Sequence, residues 1–195
     1  TKERALPIAL KMLEKGIASI LFDFSGHGES SGSLSQSSIT KRINEARSIL
    51  DMMSKNKSIG IFGASMGGHI AIELLAYNNN IQSLFLMCPA IYSEDAIELP
   101  FNDRFTEVIR EKESWKKSNT LTHLGSFQGN LFICIGQNDE VIPSEIIDLL
   151  ESTAVNAQNK EKLIIPEVGH QLISAICNDE KLLETVTGKI KDYIS

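Results

Sequence analysis

The chain has 195 residues, 42% of them hydrophobic and 23% charged, with a formal net charge of −6. This is an ordinary globular composition that supports one domain with a sizeable core, and its acidic balance argues against nucleic acid as a partner. No apolar run approaches the roughly 20 residues of a membrane-spanning helix. Three cysteines, Cys88, Cys134 and Cys177, are too sparse and uneven a set for a disulfide framework. Together with a charged Thr1-Lys2-Glu3-Arg4 start that leads into no signal peptide, they predict a cytoplasmic protein.

Residues 6–15 place Leu6, Leu10 and Leu13 at helical spacing, with Pro7 suited to a first turn and Gly16 to the residue past the end. Residues 17–22 read as a buried strand, followed by a Gly- and Ser-rich loop from Asp23 to Ser35. From Ser37 the apolar positions Ile39, Ile43, Ala46, Leu50 and Met53 step by 4, 3, 4 and 3, an amphipathic helix. A strand at 58–63 and a helix at about 66–77 follow, and Asn78-Asn79-Asn80 ends that helix. Residues 81–87 form another apolar strand. Residues 93–129 lack a strand pattern, and their charged middle part, about 103–117, reads as helical. The next strand is 131–135. A helix from about Ser144 to Ala154 presents Ile146, Ile147, Leu150 and Ala154. The last strand is 162–165, and the last helix starts at about Asp179. Helices alternating with short, continuously apolar strands predict an α/β fold with a mostly parallel sheet covered on both faces. No repeat, low-complexity segment or linker divides residues 1–195.

The informative motif is Gly63-Ala64-Ser65-Met66-Gly67, which ends an apolar strand and opens a helix. That context is a nucleophile elbow, a tight turn that exposes the hydroxyl of Ser65. Gly63 and Gly67 read as the places where a Cβ would collide as strand and helix pass close together. The helix start brings the Met66 N–H to where an oxyanion would form.

A serine hydroxyl needs a base, and the base needs an orienting group. There are four histidines. His27 lies in a Ser-Gly-His-Gly turn, His69 follows Ser65 on the helix and points away from the turn or into packing, and His123 is in the irregular stretch. His170 follows the last strand, on the carboxyl edge of the sheet that also carries Ser65, and is the predicted base. The loop 136–143 offers Asp139 and Glu140 as the acid, the shorter Asp139 being more easily held rigid.

On these residues the chain resembles α/β-hydrolases of the serine esterase and acyl-peptidase-like branch. The resemblance runs from Phe22-Asp23-Phe24-Ser25-Gly26-His27-Gly28-Glu29-Ser30 through Gly63–Gly68 to Gly169-His170, essentially the whole chain. It implies the order Ser65, Asp139, His170. It also implies a structural, pocket-rim role for the loop containing His27. Gly136, Asp139, Ile142 and Pro143 fall on the family's Gly-x-x-Asp-x-x-(Ile/Val)-Pro pattern, which supports Asp139 as the acid. Residues 93–129 fall where the family inserts a cap, here a small one. Its Phe101, Phe105 and Trp115 would either line an acyl or aromatic pocket or anchor the cap to the core, the more usual use of aromatics at irregular spacing.

One departure stands out. The family carries a His-Gly-type loop after a strand that would lie between 17–22 and 58–63, and that loop supplies the second oxyanion donor. Neither the strand nor the loop is present, so the domain reads as N-terminally incomplete, the larger part of a longer chain, which the intact mass of the natural product tests. The function expected is that of a serine carboxylesterase, acting on a small-molecule ester or related acyl bond through Ser65, His170 and Asp139 and an acyl-enzyme. A thioesterase, peptidase or acyltransferase would use the same residues, and a hydrolase-fold binding protein without turnover is the reading from another class. Such chemistry needs no cofactor, and no His, Cys and carboxylate cluster at metal-ligand spacing suggests a metal.

Overall fold

Short apolar runs without alternation suit strands covered on both faces, and two such strands stand at the centre of this protein's sheet. The computed structural model describes residues 1–53 and 58–194. Its sheet consists of β1 (Ile59–Ala64), β2 (Ile81–Met87), β3 (Asn130–Gly136) and β4 (Asn159–Ile165), side by side in that order and all parallel. Ala64 lies opposite Met87, Met87 opposite Cys134, and Gly136 opposite Ile165, so the strands' carboxyl ends share one edge. On β2 and β3, Leu84 to Met87 and Leu131 to Cys134 are almost wholly buried.

Parallel strands need crossover connections, and helices supply them. Helices α1 (Leu6–Glu14) and α2 (Ile39–Asp51) precede the sheet. Helix α3 (Met66–Glu73) joins β1 to β2; α4 (Glu94–Ile97), α5 (Asp103–Arg110) and α6 (Thr120–Ser126) lie between β2 and β3. Helix α7 (Ser144–Thr153) joins β3 to β4, and α8 (Leu172–Asn178) and α9 (Glu180–Ile194) complete the described chain. A Cβ at Gly60 would stand 2.9 Å from Cδ1 of Ile194 at the end of α9, whereas one at Gly63 would stand 2.9 Å from Cβ of Ala71 on α3. Successive strand side chains point to opposite faces, so residues an odd number apart show α9 and α3 covering opposite sides. Helices α1 and α8 pack beside α9, and α2 and α6 beside α3. The N-cap of α2 is Ser38, whose Oγ accepts the Lys41 N–H at 3.2 Å, and the predicted stripe Ile39, Ile43, Ala46 and Leu50 is buried.

Four expectations change. The strand predicted at 17–22 joins no ladder among the described residues, and Ile20 is 59% exposed. A strand persists when its N–H and C=O groups are paired; no described strand lies between this segment and β1, which is a sheet edge. The helix after Ser65 stops at Glu73 and tightens into a 3-10 turn, Leu74–Ala76. The last strand begins three residues early, at Asn159, because main-chain pairing with β3 tolerates polar side chains on an exposed edge. Helix α8 was not anticipated. Residues 93–129 hold α4, α5, α6 and a 3-10 turn, Ser114–Lys117, with no strand. Among the described residues no helix is long and apolar enough to cross a membrane.

Candidate active site

Ser65 sits between the last residue of β1 and the first of α3 with φ 51° and ψ −120°. This conformation is strained for a residue with a side chain, and hydrogen bonds hold it. The Ser65 N–H donates to the Met87 carbonyl at 3.0 Å, and the Ser65 carbonyl accepts from the N–H of Gly68 at 2.8 Å and of Ala90 at 3.0 Å. The turn is thus tied to the end of β2. Space is as tight as the motif implies, but not at both expected glycines. A Cβ at Gly63 would stand 2.2 Å from the Gly67 carbonyl oxygen, whereas one at Gly67 meets nothing within 4 Å. The second crowded position is Gly68, where a Cβ would stand 2.6 Å from that of Pro89.

The structure brings Ser65, His170 and Asp139 into one hydrogen-bonded chain. Oγ of Ser65 is 3.0 Å from Nε2 of His170, and Nδ1 of His170 is 2.9 Å from Oδ2 of Asp139. The other carboxylate oxygen of Asp139 accepts the N–H groups of Val141 at 2.9 Å and Ile142 at 3.1 Å. An ionised carboxylate only accepts, so the neutral imidazole satisfying both contacts carries its proton on Nδ1 and leaves Nε2 to accept from the hydroxyl. Burial pushes the Asp139 carboxyl up, but hydrogen bonds from His170, the Cys88 thiol, Ile142 and Val141 outweigh it and hold the group below its ordinary range. The loops after β3 and β4 are themselves joined, the Asn138 N–H donating to the Val168 carbonyl at 2.8 Å. Glu140 is exposed and stands outside the chain.

Met66 opens α3, so its N–H has no acceptor within the helix. Its Sδ lies 3.3 Å from Nη1 of Arg42. Arg42 is buried, with its guanidinium 5.2 Å from the Phe24 ring centre and 4.7 Å from that of Phe101, and it also meets Nε2 of His27. Burial and this guanidinium lower the His27 pKa. His69 is buried in packing, its Nδ1 accepting the Tyr92 N–H at 3.3 Å, and burial pushes it down to about 4. His123 lies 3.9 Å from Glu73.

Two of the three aromatics meet and the third stands apart. Phe101 reaches Arg42; Phe105 is buried against Phe101 and Tyr92; Trp115 borders a separate cavity with Leu121, Asp148 and Leu149. Arg42 was missed in the sequence, although a charge between Ile39 and Ile43 on the apolar face of α2 was a visible signal.

The family model described as serine aminopeptidase, S33, matches residues 2–123, more than half of the chain and inclusive of Ser65. The chain belongs to this hydrolase family. The matched span ends before Asp139 and His170, which the S33 chain contributes from the loops after β3 and β4. Mouse monoacylglycerol lipase ABHD6 is 33% identical over 104 residues, 51% of this chain and 30% of the relative. Thiohydrolase aneE from Aspergillus aculeatus is 27% identical over 126 residues, 61% of this chain and 39% of the relative. The S33 chain spans 30% to 59% of the lengths of the curated relatives it matches. An esterase from Exiguobacterium antarcticum, EaEST, has the same fold, with a TM-score of 0.72 at 18% identity over 97% of this chain and 87% of that one.

Proposed function

We propose that this chain is a serine hydrolase that cleaves a carboxylic ester or related acyl bond of a small molecule, with residues 93–129 as a small cap. The observation that carries the reading is the chain Ser65–His170–Asp139, with contacts of 3.0 Å and 2.9 Å. Ser65 Oγ attacks the substrate carbonyl carbon while His170 Nε2 takes its proton. Asp139 keeps the Nδ1 proton in place and stabilises the imidazolium. The Met66 N–H faces the oxyanion of the tetrahedral intermediate. His170 returns the proton to the leaving group, and the acyl-enzyme is then opened by water along the same route. The backbone strain at Ser65 supports turnover over a binding role without chemistry, because such strain recurs where a side chain must be presented.

Labelling by a fluorophosphonate probe, mapped by mass spectrometry on this chain and on Ser65→Ala, tests the proposal. Labelling at Ser65 that the substitution abolishes is the expected result; a folded chain left unlabelled overturns it. The name of the Aspergillus relative favours thioesters as a second reading, separable by comparing an acyl thioester with its oxygen ester on the same chain.

A further inference from the structure

Sequence spacing concealed one cluster of donors. Cys88 follows β2 with φ 44°, its N–H donating to the Cys134 carbonyl at 2.8 Å, and it is 2% exposed. Its thiol meets the Gly136 backbone and the Asp139 carboxylate, at the end of β3 and in the loop that follows it. The Cys88 sulfur, an Asp139 carboxylate oxygen and a His170 ring nitrogen all lie within 4.8 Å of one another. From these positions we infer that Cys88, Asp139 and His170 form an inhibitory site for a thiophilic divalent cation of the Zn²⁺ or Cd²⁺ type. The effect on turnover rests on the hydrolase reading above; the binding itself does not.

The donor set selects the metal. Sulfur, imidazole nitrogen and carboxylate oxygen are zinc-type ligands, whereas Mg²⁺ and Ca²⁺ take oxygen and would not engage the thiol. Metal–ligand bonds of about 2.0–2.3 Å in a tetrahedron put donors about 3.5 Å apart, so no pair of donors need close by more than about 1.3 Å. Entry is past His170, whose side chain is 20% exposed while that of Asp139 is 7% exposed. Binding releases the thiol proton of Cys88 to solvent. Nδ1 of His170, now a ligand, no longer carries a proton, and the neutral ring holds it on Nε2 instead. Nε2 then has no lone pair for the Ser65 hydroxyl, so the metal silences the base without covalent change.

The test uses a Cys177→Ser background, which removes the more accessible third thiol. Cd²⁺ is titrated while its ultraviolet thiolate charge-transfer band is recorded, and Zn²⁺ is titrated against hydrolysis of a short-chain p-nitrophenyl ester. Expected are a saturable cadmium–thiolate band and Zn²⁺ inhibition reversed by EDTA. Cys88→Ala should abolish the band and raise the half-inhibitory Zn²⁺ concentration at least about tenfold, each variant being read against its own metal-free rate. Cys88→Ser, nearly the same size, should do the same if the alanine variant folds poorly. Unchanged Zn²⁺ potency in both variants, or a band that survives them, overturns the site. A Cys88-dependent band in a chain without hydrolysis would uphold the site and refute the hydrolase reading; hydrolysis without the band would do the reverse.

Discussion

Gly68 and Pro89 stand so close that a Cβ on the glycine would lie 2.6 Å from Cβ of the proline, whereas one on neighbouring Gly67 would meet nothing within 4 Å. Substitution should separate the two. Gly68→Ala must move α3 or the segment after β2 and should cost about 1–3 kcal/mol in urea unfolding, with loss of probe labelling at Ser65. Gly67→Ala fills open space inside a helix and should be neutral or stabilising by up to about 1 kcal/mol.

The strain at Ser65 is measurable by comparing two variants that both lack the hydroxyl. Ser65→Gly adopts φ 51° freely, whereas Ser65→Ala keeps the clash of its Cβ with the backbone. The glycine variant should be more stable than the alanine variant by about 1 kcal/mol, read from urea midpoints, and neither should hydrolyse ester.

Asp139→Asn keeps an oxygen to accept from Val141 and Ile142, so the fold should persist. The amide also lets His170 take the wrong tautomer, and kcat for a p-nitrophenyl ester should fall by about 10³–10⁴. The same variant tests stability. The Asp139 pKa is lowered on folding, so its contribution is present above the unfolded value and lost as pH falls through the folded one. Urea unfolding of Asp139→Asn should therefore show a shallower loss of stability on acidification below about pH 4 than the parent chain.

His69 acts over a higher pH range. Its pKa is pushed down from 6.5 to about 4 by burial, so below pH 6.5 the unfolded chain binds a proton that the folded chain refuses. Folding stability should fall by about 3 kcal/mol between those limits. His69→Gln should flatten that slope in urea titrations, even if it lowers stability at neutral pH through the lost fit beside Tyr92.

Much of this architecture was legible because residues 84–87 of β2 and 131–135 of β3 are uninterrupted apolar runs, a pattern that needs cover on both faces. The same pattern misled at residues 17–22, since apolar composition reports a wish for burial and not the presence of a ladder partner. The polar start of β4, Asn159-Lys160-Glu161, was invisible for the converse reason, pairing through its backbone on an exposed edge. Helix α8 escaped notice between His170 and the stronger pattern of α9. At the candidate site, Ser65, Asp139 and His170 each stood in a recognisable turn after a strand, so topology alone could bring them together. Arg42 and Cys88 had no such motif; their importance comes from neighbours far away in the chain.

The contact between Ser65 and His170 joins residues 105 positions apart. Local helices form in microseconds, but a contact of that span must await the long-range pairing of β1 through β4, the slow part of folding. Probe reactivity at Ser65 is thus a late clock on this chain: in a refolding experiment it should lag the recovery of helical signal and rise only when β4 has joined the sheet.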